Sequence, residues 1–107
     1  MALFVAELGI QLIEALQPLV PRIKQKDRSL ADQLARAATS VCLNIAEAQH
    51  SEAGNRRSRF FTAAGSASEA LMAVRVAVAW RYLRESEGAA AQRLLNRILA
   101  ILWKLTH

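Results

Sequence analysis

The stretch RAATSVCLNIAEAQ, Arg36 to Gln49, decides the fold. Its apolar residues Ala37, Val41, Ile45 and Ala48 advance by three or four, the spacing of one helix face. Asn44 sits among Val41, Cys42, Leu43, Ile45 and Ala46, and Glu47 follows one turn later. A buried polar group without a partner costs about 1–3 kcal/mol. The pair is therefore either a chemical site or a polar link between packed helices. Leu30 and Leu34 extend the stripe upstream, giving a helix over about 29–50.

Three further helices follow from the same periodicity. In the first, over about 3–24, Val5, Leu8, Leu12, Leu16, Leu19 and Ile23 form the stripe. Pro18 and Pro21 fall inside it, and each removes a backbone donor, so a bend or break is expected there. Ser29 followed by Asp32 has the spacing of a weak capping box for the next helix. Gly54 and Asn55 are the clearest turn signal. Beyond them a helix over about 56–85 carries Phe60, Ala64, Ala67, Leu71, Val74 and Val78, and its small-residue stretch TAAGSASEA favours close packing. A last helix over about 89–106 carries Leu94, Ile98, Leu102 and Leu105.

The composition agrees. Only four Gly and two Pro occur in 107 residues, and 53% of the chain is hydrophobic, which favours helices over turn-rich β structure. One all-α domain spanning 1–107 is expected, an antiparallel up-down-up-down four-helix bundle. Glu7, Glu14, Pro18 and Pro21 interrupt the N-terminal apolar run, and Glu69 and Arg75 interrupt the run from Ala63 to Trp80. Neither reads as a membrane span, and no signal peptide is evident, so the expected compartment is the cytoplasm. Leu43, Trp80, Ile101 and Trp103 lie off the main stripes and point to self-association.

Register arithmetic gives the polar pair partners. With the turn at Ala53–Asn55 as pivot, Asn44 faces Gly65 and Ser66, and Ser40 faces Glu69. Arg36, Ser40, Asn44 and Glu47 share one face, so a ladder of Arg36 or Ser40 with Glu69, and Asn44 with Ser66 or a nearby backbone carbonyl, is expected between the two helices. The rival reading makes Glu47 and Glu69 a carboxylate pair for acid–base or metal chemistry. Glu47 and His50 give one E-x-x-H spacing, where a di-metal bundle uses two. His50 and His107 lack neighbours at ligand spacing, and Cys42 is the single cysteine. The expectation is no catalytic residue, no metal and no cofactor.

At these residues the chain resembles a known family. Gln33, Leu34, Arg36, Ala37, Ala38, Ser40, Asn44, Ile45, Ala46 and Glu47, then Phe60, Phe61, Gly65, Ser66 and Glu69, match the pattern of the bacterial proteins encoded in intervening sequences of 23S ribosomal RNA genes. Ala48 departs from it, since the family usually has Gly there. The resemblance implies a four-helix bundle assembling as a ring-like homopentamer. It also implies a relative, the accessory variability determinant of diversity-generating retroelements, a basic pentamer that binds a reverse transcriptase and nucleic acid. Neither an activity nor catalytic residues come with the resemblance.

Charge bears on that last point. The net charge is +5, which suits polyanion binding but also lies in the range of ordinary solubility. One end of the expected bundle collects Arg22, Lys24, Lys26, Arg28, Arg81, Arg84 and Arg93 against Asp27, Asp32, Glu85 and Glu87. Several of these cations sit at helix C-termini, where the macrodipole favours them without any ligand. Arg56, Arg57 and Arg59 are expected to open a helix, where the dipole disfavours cations and free N–H groups attract anions. They form a candidate phosphate site and, with Arg22, Lys24, Lys26, Arg28, Arg81 and Arg84, make up nine candidate nucleic-acid-binding cations. With no zinc finger or aromatic RNA-binding signature, any contact with RNA or DNA is expected to be backbone-directed and salt-sensitive. The alternative is a structural or protein-interaction module whose charge serves solubility.

Overall fold

The computed structural model describes residues 2–107 and is all-α, with five helices and no strand among the described residues. They are α1 (Ala2–Leu16), α2 (Val20–Lys26), α3 (Arg28–Gln49), α4 (Ala53–Ala79) and α5 (Glu85–Thr106). The molecule measures 42 × 22 × 20 Å. At about 1.5 Å per residue, α4 alone spans the long dimension.

The expected first helix is two helices, bent by 49° between α1 and α2. Pro18 lies in the break and Pro21 in the first turn of α2, where no intrahelical donor is needed. The expected stripe holds across the bend: Val5, Leu8, Leu12, Leu16, Leu19 and Ile23 are all buried. No single described helix is long and apolar enough to cross a membrane.

One residue separates α2 from α3. Asp27 ends α2 and caps α3, its Oδ1 accepting from the Leu30 N–H at 3.0 Å. The expected capping box on Ser29 and Asp32 is therefore displaced by two residues. Ser29 lies inside the first turn, where its hydroxyl accepts from the Gln33 side chain. An aspartate is the better cap here because its extended backbone aims the carboxylate at the free N–H groups.

The turn between α3 and α4 also shifts. It lies at His50–Glu52, while Gly54 and Asn55 fall inside the first turn of α4. The core of α4 is an alanine seam, Ala63, Ala67, Ala70, Ala73 and Ala77, flanked by Phe60 and Val74. Ala64, Leu71 and Val78, expected at its centre, are half-buried on its edge. Alanines let α3 and α4 approach closely, and this is the most extensive helix contact. α4 also packs on α5, and α1 touches both α3 and α5, which closes the ring of helices. Gly9 and Gly88 sit at close approaches: an added Cβ would meet Cys42 Sγ at 3.0 Å and Val78 Cγ2 at 3.1 Å, respectively, so each neighbour would have to shift to admit one.

α4 ends in a left-handed turn. The Tyr82 N–H bonds the Ala77 carbonyl and the Arg81 N–H bonds the Val78 carbonyl, both at 2.9 Å. This is the Schellman pattern, with Arg81 at φ 65° in the position usually held by glycine.

Candidate functional site

The polar residues of α3 form a ladder, but not a buried one. The Ser40 and Ser66 hydroxyls share a hydrogen bond of 2.8 Å. The Asn44 amide donates to the Ser40 carbonyl at 2.9 Å and to its hydroxyl at 3.0 Å. Asn44 is half-buried and Glu47 is exposed. Glu47 pairs with Arg59 at 2.9 Å. Compared with the expected register, Ser40 meets Ser66 instead of Glu69, close to one helical turn earlier on α4. The reason is the start of α4 at Ala53, which moves the pivot of the hairpin back. Gly65 is exposed, and the direction of its absent side chain opens onto free space. Arg36 and Glu69 line a common cleft with Ser40 and Ser66, but form no ion pair among the described residues.

The three arginines near the start of α4 are differently placed from the expectation. The Arg56 N–H already bonds the Glu52 carbonyl, so the free N–H groups belong to residues before it. Arg57 donates from Nε to the Thr106 carbonyl at 2.9 Å, capping the end of α5 with a cation where the helix dipole welcomes one. Its guanidinium also lies 5.2 Å from the Phe61 ring centre, while Arg56 lies 5.8 Å from that of Phe60. With Arg59 held by Glu47, each of the three has a structural partner. Phe61, His107 and Trp103 form an aromatic cluster beside them, Phe61 edge-on to His107 and Trp103 stacked on it with ring centres 4.4 Å apart.

The opposite end is built from α2 and the α4–α5 turn. Arg22, Arg81 and Arg84 surround one cleft of about 600 Å³, together with Tyr82, Glu85 and Glu87. Arg22 forms an ion pair with Glu87, which ties α2 to α5. The same carboxylate accepts from the Arg84 N–H at 2.7 Å, helping to cap α5. The hydrogen bond from Arg22, then that from the Arg84 backbone, holds the Glu87 carboxyl below its ordinary pKa. Lys24 and Lys26 are exposed at the end of α2. Arg28 belongs to another face, beside Asp32 and Arg36. The nine expected binding cations thus divide between two ends and several faces.

Two residues of this end escaped the sequence reading as part of a site. Trp80 is 66% exposed, and its ring stacks on Tyr82 with centres 6.4 Å apart and planes 17° from parallel. The interleaving of aromatics and arginines in WRYLR, Trp80–Arg84, was the available signal. Cys42 is half-buried, and burial pushes its thiol pKa up, away from nucleophilic use.

The model of the 23S rRNA-intervening sequence protein family matches residues 2–104. The chain belongs to that family. A crystal structure of a protein of unknown function from the S23 ribosomal protein family of Bacteroides thetaiotaomicron superposes with a TM-score of 0.89. The likeness covers 95% of this chain and 97% of that one at 17% identity, which speaks to fold alone. No curated protein matches the chain.

Proposed function

We propose that this intervening-sequence protein is a non-enzymatic cytoplasmic scaffold that binds nucleic acid. In this reading α1 and α2 count as one bent helix of a four-helix bundle, and the bundles assemble as a ring-like homopentamer. The observation that carries the nucleic-acid reading is the meeting of Arg22, Arg81 and Arg84 around one cleft from separate segments. Of the four residues expected to self-associate, Leu43 and Trp103 are exposed, Ile101 is half-buried and Trp80 is exposed at the α4–α5 turn; exposed Leu3, Ile10 and Met72 add apolar surface that supports self-association. Repetition around a ring would let weak single contacts add by avidity. Service to a reverse transcriptase is one specific form of this role.

The second reading is a structural or protein-interaction module without nucleic acid. It is favoured by the engagement of Arg57 with Thr106 and of Arg59 with Glu47, which gives those charges structural work. Sedimentation of the purified protein, followed by titration with RNA and DNA at several salt concentrations, separates the two. Scaffold binding predicts an oligomer whose affinity falls log-linearly as salt rises. An oligomer that binds neither RNA nor DNA at low salt leaves only the interaction module.

A further inference from the structure

We infer that the α4–α5 turn is a stacking site for single-stranded nucleic acid, taking an unpaired base on Trp80 and the adjoining phosphate on Arg81 and Arg84. The inference rests on the nucleic-acid reading above and names the place and the form of the ligand.

Trp80 offers the first element. It is 66% exposed, yet its ring is oriented by stacking on Tyr82. An exposed, pre-oriented indole is a platform for a base, because every base has an aromatic face and stacking needs no particular sequence. A duplex keeps those faces covered, so the site selects unpaired strands.

Arg81 offers the second. It holds φ 65° at the left-handed end of α4, where glycine would be relaxed. A long cationic side chain is thus carried at a backbone position that disfavours it, beside the stacked aromatics. Strain of this kind is a recognised mark of functional positions. The charge pattern completes the site. Glu87 is taken up by Arg22 and by the Arg84 backbone, and the Arg84 charge also acts on it, whereas the Arg81 guanidinium forms no ion pair among the described residues. Glu85 also lines the cleft and opposes the bound phosphate, which makes the attraction moderate and salt-dependent. Arg81, Arg84 and Tyr82 line the cleft of about 600 Å³, and Trp80 adjoins it by stacking on Tyr82.

The test uses the full chain with Trp103→Phe, which keeps a ring against His107 and leaves Trp80 as the single tryptophan, after sedimentation has shown that it assembles as the natural protein does. Short oligo(dT) is titrated at low salt while Trp80 fluorescence is followed, with a duplex hairpin as comparison. Quenching by the single strand and not by the duplex is expected. In the natural background, Trp80→Ala is expected to weaken oligo(dT) binding about tenfold. Arg81→Gly is expected to weaken it several-fold while raising the melting temperature, so a loss of binding cannot be put down to misfolding. Undiminished binding by both variants, or equal quenching by the duplex, overturns this site and leaves the scaffold reading standing. If the unsubstituted protein binds no RNA or DNA at low salt, both fail.

Discussion

Ser40 is the residue on which the α3–α4 hairpin registers. Its hydroxyl meets Ser66 across the interface and Asn44 along its own helix, so it joins the two helices at one defined height. A net hydrogen bond contributes about 0.5–1.5 kcal/mol. A double-mutant cycle of Ser40→Ala and Ser66→Ala, read by urea denaturation, should show a coupling of about that size. Strict additivity would mean that the bond contributes nothing and that the alanine seam alone sets the register. Arg81 is the opposite case, a residue the local backbone would rather not have. The left-handed conformation costs a non-glycine residue about 1–2 kcal/mol, partly offset by the greater chain entropy of glycine when unfolded. The stabilisation expected of Arg81→Gly is therefore about 1 kcal/mol or less.

At the scale of elements, the breaks are as informative as the helices. α2 and α3 share Asp27 as end and beginning, with an extended backbone at φ −156° and ψ 93°. One residue thus performs a sharp change of direction and satisfies a free N–H of the new helix. Asp27→Ala should destabilise the fold by about 1 kcal/mol, within the range of about 0.5–2 for lost caps. Chemical denaturation measures it, and Asp27→Asn should retain most of the stability. No loss in Asp27→Ala would show that tertiary packing alone holds the junction. The prolines explain why the first apolar run is not one straight helix. Both lie in the α1–α2 break or the first turn of α2, while burial of Leu16, Leu19 and Ile23 keeps the pieces on one core.

Across the whole molecule, the Arg22–Glu87 pair fastens α2 to α5, elements separated by most of the chain. Its pH dependence follows from the lowered Glu87 pKa. The unfolded carboxyl titrates near its ordinary value, about 4.3, and the folded one below it. The pair therefore contributes its full stabilisation above the ordinary value and loses it as pH falls through the lower, folded one. Glu87→Gln should be less stable than the natural protein at neutral pH, with the gap closing in acid below that ordinary value. Urea midpoints measured against pH decide it. A gap unchanged through the acid range would mean that Glu87 acts through neutral hydrogen bonding instead of charge.

Helix identity, the buried stripes of α1 and α3, and the family motif were legible in the residues, because helical periodicity is a local property. Val5 through Ile23 and Leu34 through Ala48 could be placed on their buried faces from spacing alone. The bend at Pro18 and Pro21 was legible for the same reason. The partner of Ser40 was not, since register depends on where the hairpin closes, and Gly54 and Asn55 drew that turn too late. Nor could spacing reveal that Arg57 would cap α5, that Arg59 would take Glu47, or that Arg22 would meet Glu87. Those pairings arise when separate helices arrive at the same end of the molecule. The sequence by itself determined the helices and their apolar faces. Only tertiary structure decided which charges are paired, as Arg22 is with Glu87, and which share a cleft with Tyr82, as Arg81 and Arg84 do, because that outcome depends on distances between helix ends.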